Sequence, residues 1–161
     1  MNFKNFFSRP VTLVVLSISF FLIFIFATNK QDALATIKTS KYNVEVFKTP
    51  SCGCCYGYVL FLKKENCKVK QTDMRSLHLI KKKYNIPLEM QSCHTTILGK
   101  YFIEGHVPIE AINKLLKEKP DIDGIALPGM PIGTPGMPGE KKEPYIIYQL
   151  VEGKSSVFMT I

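Results

Sequence analysis

The 161-residue sequence carries a formal net charge of +8, yet it has no basic stripe with interleaved aromatics. Its lysines are scattered, as in Lys63-Lys64, Lys81-Lys82-Lys83 and Lys141-Lys142, and they alternate with acids and apolar positions. Such a pattern describes a solvated basic surface, and nucleic-acid binding is excluded as a partner class. The chain also lacks the length for two cores, leaving room for one domain plus a targeting segment. An even complement of cysteines is missing too. Five cannot all pair internally, and Cys54 and Cys55 are adjacent, so the spacing resists a disulfide framework.

Acids are absent from the first nine residues, which carry Lys4 and Arg9. Residues 11–27 then form an apolar run diluted only by Thr12, Ser17 and Ser19. The run is slightly long for a signal-peptide h-region and slightly short for a membrane span. Ala33-Leu34-Ala35 offers a small-x-small cleavage site beyond it. Residues 1–35 therefore read as a cleaved export signal or an uncleaved N-terminal anchor, residues 36–41 as a linker and 42–161 as the domain. Either outcome leaves the positive end inside and exports the rest. Without residues 1–35, which hold Lys4, Arg9, Lys30 and Asp32, the charge falls from +8 to +6.

Thr49-Pro50-Ser51-Cys52-Gly53-Cys54-Cys55 organises that domain. It follows a strand-like alternation over residues 42–48 and precedes a helix-like run in which Cys55, Tyr58, Val59 and Leu62 share one face. Cys52 and Cys55 make a C-x-x-C at a strand-to-helix junction, the position of a thioredoxin-like redox pair or of half a metal site. The unpaired amides and dipole of a helix N-terminus favour thiolate, the form that attacks disulfides and binds soft metals. Core filling is a poor account of three cysteines in four positions, because free cysteines gather this way for their reactivity. Cys67, alone at the start of a short strand over residues 67–71, reads instead as a small buried core residue.

Further along, Ser76 can cap a second helix with Leu77, Ile80 and Tyr84 inward, and His78 falls on its solvated side. Residues 92–98 and 101–104 read as a hairpin across Gly99-Lys100. Pro108 opens a third helix with Ile109, Ile112, Leu115 and Leu116 on one face. The order strand, helix, strand, helix, strand, strand, helix predicts an α/β, thioredoxin-like fold: a central mixed sheet, three flanking helices, and parallel first and second strands. Two additions follow. Pro128-Gly129-Met130-Pro131 recurs as Pro135-Gly136-Met137-Pro138, a loop with a restrained backbone. Residues 145–150 and 155–160 then predict a C-terminal β-hairpin.

In such a fold the loop into the third strand faces the first helix's N-terminus, which would carry Cys93 toward Cys52, Cys54 and Cys55. Adjacent strand residues point to opposite faces, so Cys93 outranks His94 as a ligand if that stretch is regular. His106 precedes the third helix, where it is either a ligand or a hydrogen-bonding turn residue. Thiolate, thioether and imidazole together select soft or borderline metals. Four cysteines also suit tetrahedral zinc. Consecutive thiolates, however, suit bridging between several Cu(I) ions better, and methionines at 130 and 137 have little affinity for zinc.

Four blocks carry a resemblance: Thr49-Pro50-Ser51-Cys52-Gly53-Cys54-Cys55; Ser92-Cys93-His94-Thr95; Ile103-Glu104-Gly105-His106-Val107-Pro108; and residues 127–137. In this order they resemble domain-of-unknown-function family 411, exported thioredoxin-like proteins linked with copper resistance and sometimes called CopG-type. The resemblance spans roughly residues 43–160. It implies a metal site at Cys52, Cys54, Cys55, Cys93, His94, His106, Met130 and Met137. It also implies a periplasmic location, anchored at the inner membrane by residues 11–27 if these are retained, and partners such as a copper exporter or other exported copper proteins. Tyr58 stands where the family usually has tryptophan, and Asn66-Cys67 where it usually has Gly-Phe. Two functions remain open. One is Cu(I) binding for sequestration, transfer or resistance; the other is an enzyme, a thiol-disulfide oxidoreductase using Cys52 and Cys55.

Overall fold

Alternation over Tyr42–Lys48 does form a strand, β1, which buries Val44, Val46 and Lys48 on one face in the computed structural model. The structure describes residues 41–161. The signal or anchor expected over residues 1–35, and all of the 36–41 linker but Lys41, lie outside the described residues. Among the described residues no helix is long and apolar enough to cross a membrane.

After β1 come α1 (Gly53–Lys64), β2 (Cys67–Asp73) and α2 (His78–Lys83), then β3 (His94–Leu98), β4 (Tyr101–Glu104) and α3 (Ile109–Glu118). Three further strands follow: β5 (Gly124–Ala126), β6 (Ile146–Val151) and β7 (Lys154–Thr160). All seven strands share one mixed sheet in the order β2-β1-β3-β4-β5-β6-β7. As expected, β1 and β2 are parallel, and β3 and β4 form an antiparallel hairpin. The expected C-terminal hairpin is β6–β7, with a register shift between Ile147 and Tyr148.

Sequence reasoning missed β5. It pairs parallel with β4 and antiparallel with β6, so it joins the hairpin to the sheet. Three residues are too few for alternation to show. Gly124 is required there, since a Cβ would come within 2.3 Å of the Phe102 carbonyl oxygen.

The inward face of α1 is the one the spacing gives: Cys55, Tyr58, Val59 and Leu62 are all buried. Each apolar side chain so buried contributes roughly 1.5–3 kcal/mol. Tyr58, Val59 and Leu62 pack with Val44, Val46, Ile103 and, from α3, Ala111, Ile112 and Leu115. Cys67 joins this core, as its reading as a small buried residue requires. On β4, Ile103 belongs to this core while Phe102 packs in a smaller cluster with Ile86, Ala126 and Leu150. Strand alternation therefore points Phe102 and Glu104 to the sheet's other face, where α2 delivers Lys81. The site forms where β1 ends, α1 begins and β3 begins.

Candidate metal centre

Cys52 caps α1: its Sγ lies 3.3 Å from the Cys55 backbone N–H. Cys52 and Cys55 are joined as a disulfide, while Cys54, Cys67 and Cys93 are free thiols. Cys54 Sγ lies 3.5 Å from Cys52 Sγ and 3.9 Å from Cys93 Sγ. The sulfurs of Cys52, Cys54, Cys55 and Cys93 all fall within 4.8 Å of one another. Two of them are withdrawn from metal chemistry in the disulfide form, and reduction would release them.

A second group adjoins the first through Cys93, whose Sγ is 3.3 Å from His94 Nδ1 and 3.1 Å from His106 Nε2. Both imidazoles are buried. The expectation that His94 would turn away assumed a regular strand through Cys93. Instead β3 begins at His94, so alternation does not bind Cys93, and both side chains reach the site. The His94 and His106 rings meet edge to face at 4.7 Å, and Tyr58 lies 4.5 Å from His94. The Tyr58 hydroxyl is anchored on the Val107 carbonyl at 2.9 Å.

Burial, and then the neighbouring Cys54, push the Cys93 thiol up to about 12. Burial holds His94 well below the ordinary imidazole range, assisted by His106 and Lys81. Burial likewise lowers His106, although its bond to the Pro135 carbonyl works the other way. Both rings are thus kept neutral at neutral pH, the form in which imidazole is a ligand.

The Pro/Gly/Met loop is fastened to this site through its backbone. His106 Nδ1 is 2.7 Å from the Pro135 carbonyl oxygen, and the Ser92 hydroxyl donates to the Gly129 carbonyl at 2.5 Å. Thr134 and Tyr145 brace the loop on Pro131 O and Ile132 O, so its backbone is held as the sequence predicts. Met130 and Met137 each follow a glycine of this loop. Met130 is 53 % exposed and Met137 is half-buried; the loop's hydrogen bonds with His106 and Ser92 are made by the Pro135 and Gly129 carbonyls. Six of the eight expected residues fall in these two close groups of cysteines and histidines, and Met130 and Met137 lie on the loop fastened beside them.

The family described as "Protein of unknown function, DUF411" matches residues 90–137, a span that holds Cys93, His94, His106 and both loop methionines. The solved structure named copper resistance protein copG, Form 1, is 34 % identical, with a TM-score of 0.69, over 74 % of this chain and 97 % of that one. The chain belongs to this DUF411, CopG-type family. Form 2 of the same protein matches at the same identity and TM-score, over 98 % of its length. No curated protein matches the sequence.

The donor set fits a soft metal ion. Thiolates about 2.3 Å from a tetrahedral metal stand roughly 3.8 Å apart, close to the 3.9 Å between the free thiols of Cys54 and Cys93. Neither close group includes a carboxylate. His94 Nε2 is buried without a hydrogen-bond partner, so that ring has unused donor or acceptor capacity. As a family of metal-site residues, these sulfurs and imidazoles match copper-related binding in character.

Sequence reasoning missed the residues that hold these ligands in place. The sequence places Tyr58 on the helix face and at the family's usual tryptophan position, but gives no sign that its ring walls the histidine pair. Gly57 and Gly136 let loop and helix meet backbone to backbone, and a Cβ on Gly136 would lie 2.7 Å from Cys54 O. Lys81 and Glu104 form a buried ion pair behind Ser92 and Thr95. An acid ending the apolar strand Tyr101–Glu104 was the one available signal for it.

Proposed function

We propose that this chain is an exported copper-binding protein whose cysteine cluster holds Cu(I) for sequestration, transfer or resistance. The observation that carries the reading is the convergence of four cysteine sulfurs, with two neutral imidazoles at one side and no carboxylate in the group. Copper is the cargo here. Adjacent Cys54 and Cys55 favour bridging between several Cu(I) ions over a single zinc, and Met130 and Met137 stand near enough in sequence to the fastened loop residues to serve as outer thioether ligands. The neighbours' copper-resistance name supports the same cargo. A thioredoxin-like core carrying the Pro/Gly/Met loop and β6–β7 as an extension is supported by parallel β1–α1–β2 followed by the β3–β4 hairpin and α3. Residues 11–27 would export the domain to the periplasm or tether it to the inner membrane, beside a copper exporter or another exported copper protein.

Cu(I) titration of the reduced chain, with zinc as competitor, tests this. More than one Cu(I) per chain, retained against zinc, is the expected result. No copper, or one readily displaced zinc, would overturn it.

The Cys52–Cys55 disulfide favours a second reading, a thiol-disulfide oxidoreductase. Cys52 thiolate would attack a substrate disulfide, releasing one substrate thiol and forming a mixed disulfide. Cys55 would then displace the second substrate thiol and close the observed bond. Insulin reduction that survives Cys54→Ser would support it.

A further inference from the structure

Behind the turn that carries Cys93 and His94 lies a charge pair that neither reading uses. Lys81, on the six-residue α2, is 5 % exposed, and Glu104, at the end of β4, is wholly buried. Lys81 Nζ pairs with Glu104 Oε1 and donates to the Ser92 carbonyl at 2.9 Å. Glu104 Oε1 also accepts the Ser92 N–H at 2.6 Å, and Oε2 accepts the Thr95 hydroxyl at 2.6 Å. Both main-chain polar groups of Ser92 and the side chain of Thr95 are therefore held by one pair. Those are the residues on either side of Cys93 and His94.

A buried ion pair is a poor device for stability alone, because apolar residues of similar volume often serve as well or better. What the pair supplies here is direction. It fixes the chain just before Cys93 and just after His94, while the Gly105 N–H holds the His94 carbonyl at 3.0 Å. A fully hydrogen-bonded buried network of this kind rigidifies the segment it touches.

We propose that Lys81 and Glu104 are positioning residues that hold the Cys93 sulfur and the His94 ring at the edge of the cysteine cluster, ready for a soft metal ion. The inference rests on the copper-binding reading for what the cluster receives, and on the metal-free geometry for the clamp itself.

The test uses the full chain, reduced and metal-free, with iodoacetamide labelling followed at each cysteine by mass spectrometry. Buried Cys67 serves as an internal reporter of global unfolding. The double variant Lys81→Met/Glu104→Gln removes both charges at similar volume. It should raise Cys93 labelling several-fold while Cys67 stays protected, and lower Cu(I) affinity about 10- to 100-fold, as loss of support behind ligands does elsewhere. Should the double variant not fold, Thr95→Val removes one hydroxyl donor to Glu104 and should act in the same direction, more weakly. Unchanged Cys93 labelling would overturn the proposal. So would Cys93 and Cys67 accelerating together, which would reduce the pair to a support of the fold. Wild-type chain that binds no copper, with Cys93 still freed in the variant, would sink the copper reading and leave the clamp standing.

Discussion

His106 donates its Nδ1 proton to the carbonyl oxygen of Pro135 across 2.7 Å. A carbonyl only accepts, so this bond fixes the neutral tautomer and leaves Nε2 bare, 3.1 Å from Cys93 Sγ. A loop that could have been a plain connector thereby aims an imidazole at the sulfur cluster. The bond holds only while the next residue, Gly136, stays seated on α1.

Replacing Gly136 with alanine should unseat it. Gly136 has φ +83°, and a Cβ there would come within 2.5 Å of Tyr58 N and 2.7 Å of Cys54 O. Both are main-chain atoms of α1 and cannot swing aside. The expected cost is about 1–3 kcal/mol in denaturant unfolding, with weakened Cu(I) competition as His106 loses its partner. Gly129→Ala is the control: its φ is +70°, yet nothing lies within 4 Å of the added Cβ. It should show only left-handed strain, about 1–2 kcal/mol, and unaltered Cu(I) competition.

Much of this frame was legible because it rests on local periodicity. The 0, 3, 4, 7 spacing from Cys55 placed the inner face of α1, and alternation placed β1. The close cluster was legible as a set of chemically similar residues at two loops. Its supports were not, because each depends on a long-range meeting. Lys81 lies in a run of three lysines, and nothing local distinguishes it from Lys82, which stays exposed. His94 ranks below Cys93 only for a strand running from Ser92, and β3 starts at His94. β5 was invisible because three residues display no period.

Acid should weaken the metal-free fold through its two buried imidazoles. Burial lowers the folded-state pKa of His94 and His106 below the ordinary imidazole value near 6.5. An unfolded chain then takes up protons that the folded chain refuses. The stabilisation is complete above about pH 6.5 and is lost as pH falls toward the folded values. Burial raises Glu104, which acts in the opposite sense as pH falls. Comparison with His94→Gln isolates the histidine contribution: the fall in Tm between pH 7 and pH 5 should be shallower in the variant. An equal slope would show that His94 takes no part.

Tyr58→Phe should separate stability from metal capacity. The hydroxyl donates to Val107 O at 2.9 Å inside the core, and burial pushes its pKa up, so it remains a donor throughout the working range. Removing it deprives a buried carbonyl of that donor at a cost of about 1–2 kcal/mol. The ring itself, which walls His94 and His106, is retained. Denaturant unfolding should shift while Cu(I) stoichiometry stays the same. A lost copper ion would mean that the hydroxyl sets the ring's place against the histidines.

Cys54 decides between the two functional readings, because the metal site needs it and the redox pair does not. Its sulfur is the one lying between Cys52 and Cys93, at 3.5 and 3.9 Å. A multinuclear thiolate site would lose its bridge in Cys54→Ser, so the bound copper should fall together rather than one ion at a time. Disulfide chemistry through Cys52 and Cys55 would continue, since the bond between them is made without Cys54. Cys67→Ser is the matched control: it removes a thiol from the core rather than from the cluster. It should lower stability by about 1 kcal/mol and leave both copper count and insulin reduction unchanged. Copper lost in Cys54→Ser but not in Cys67→Ser would establish the cluster as the binding site. Undiminished copper in Cys54→Ser, with active insulin reduction, would transfer the function to the Cys52–Cys55 pair.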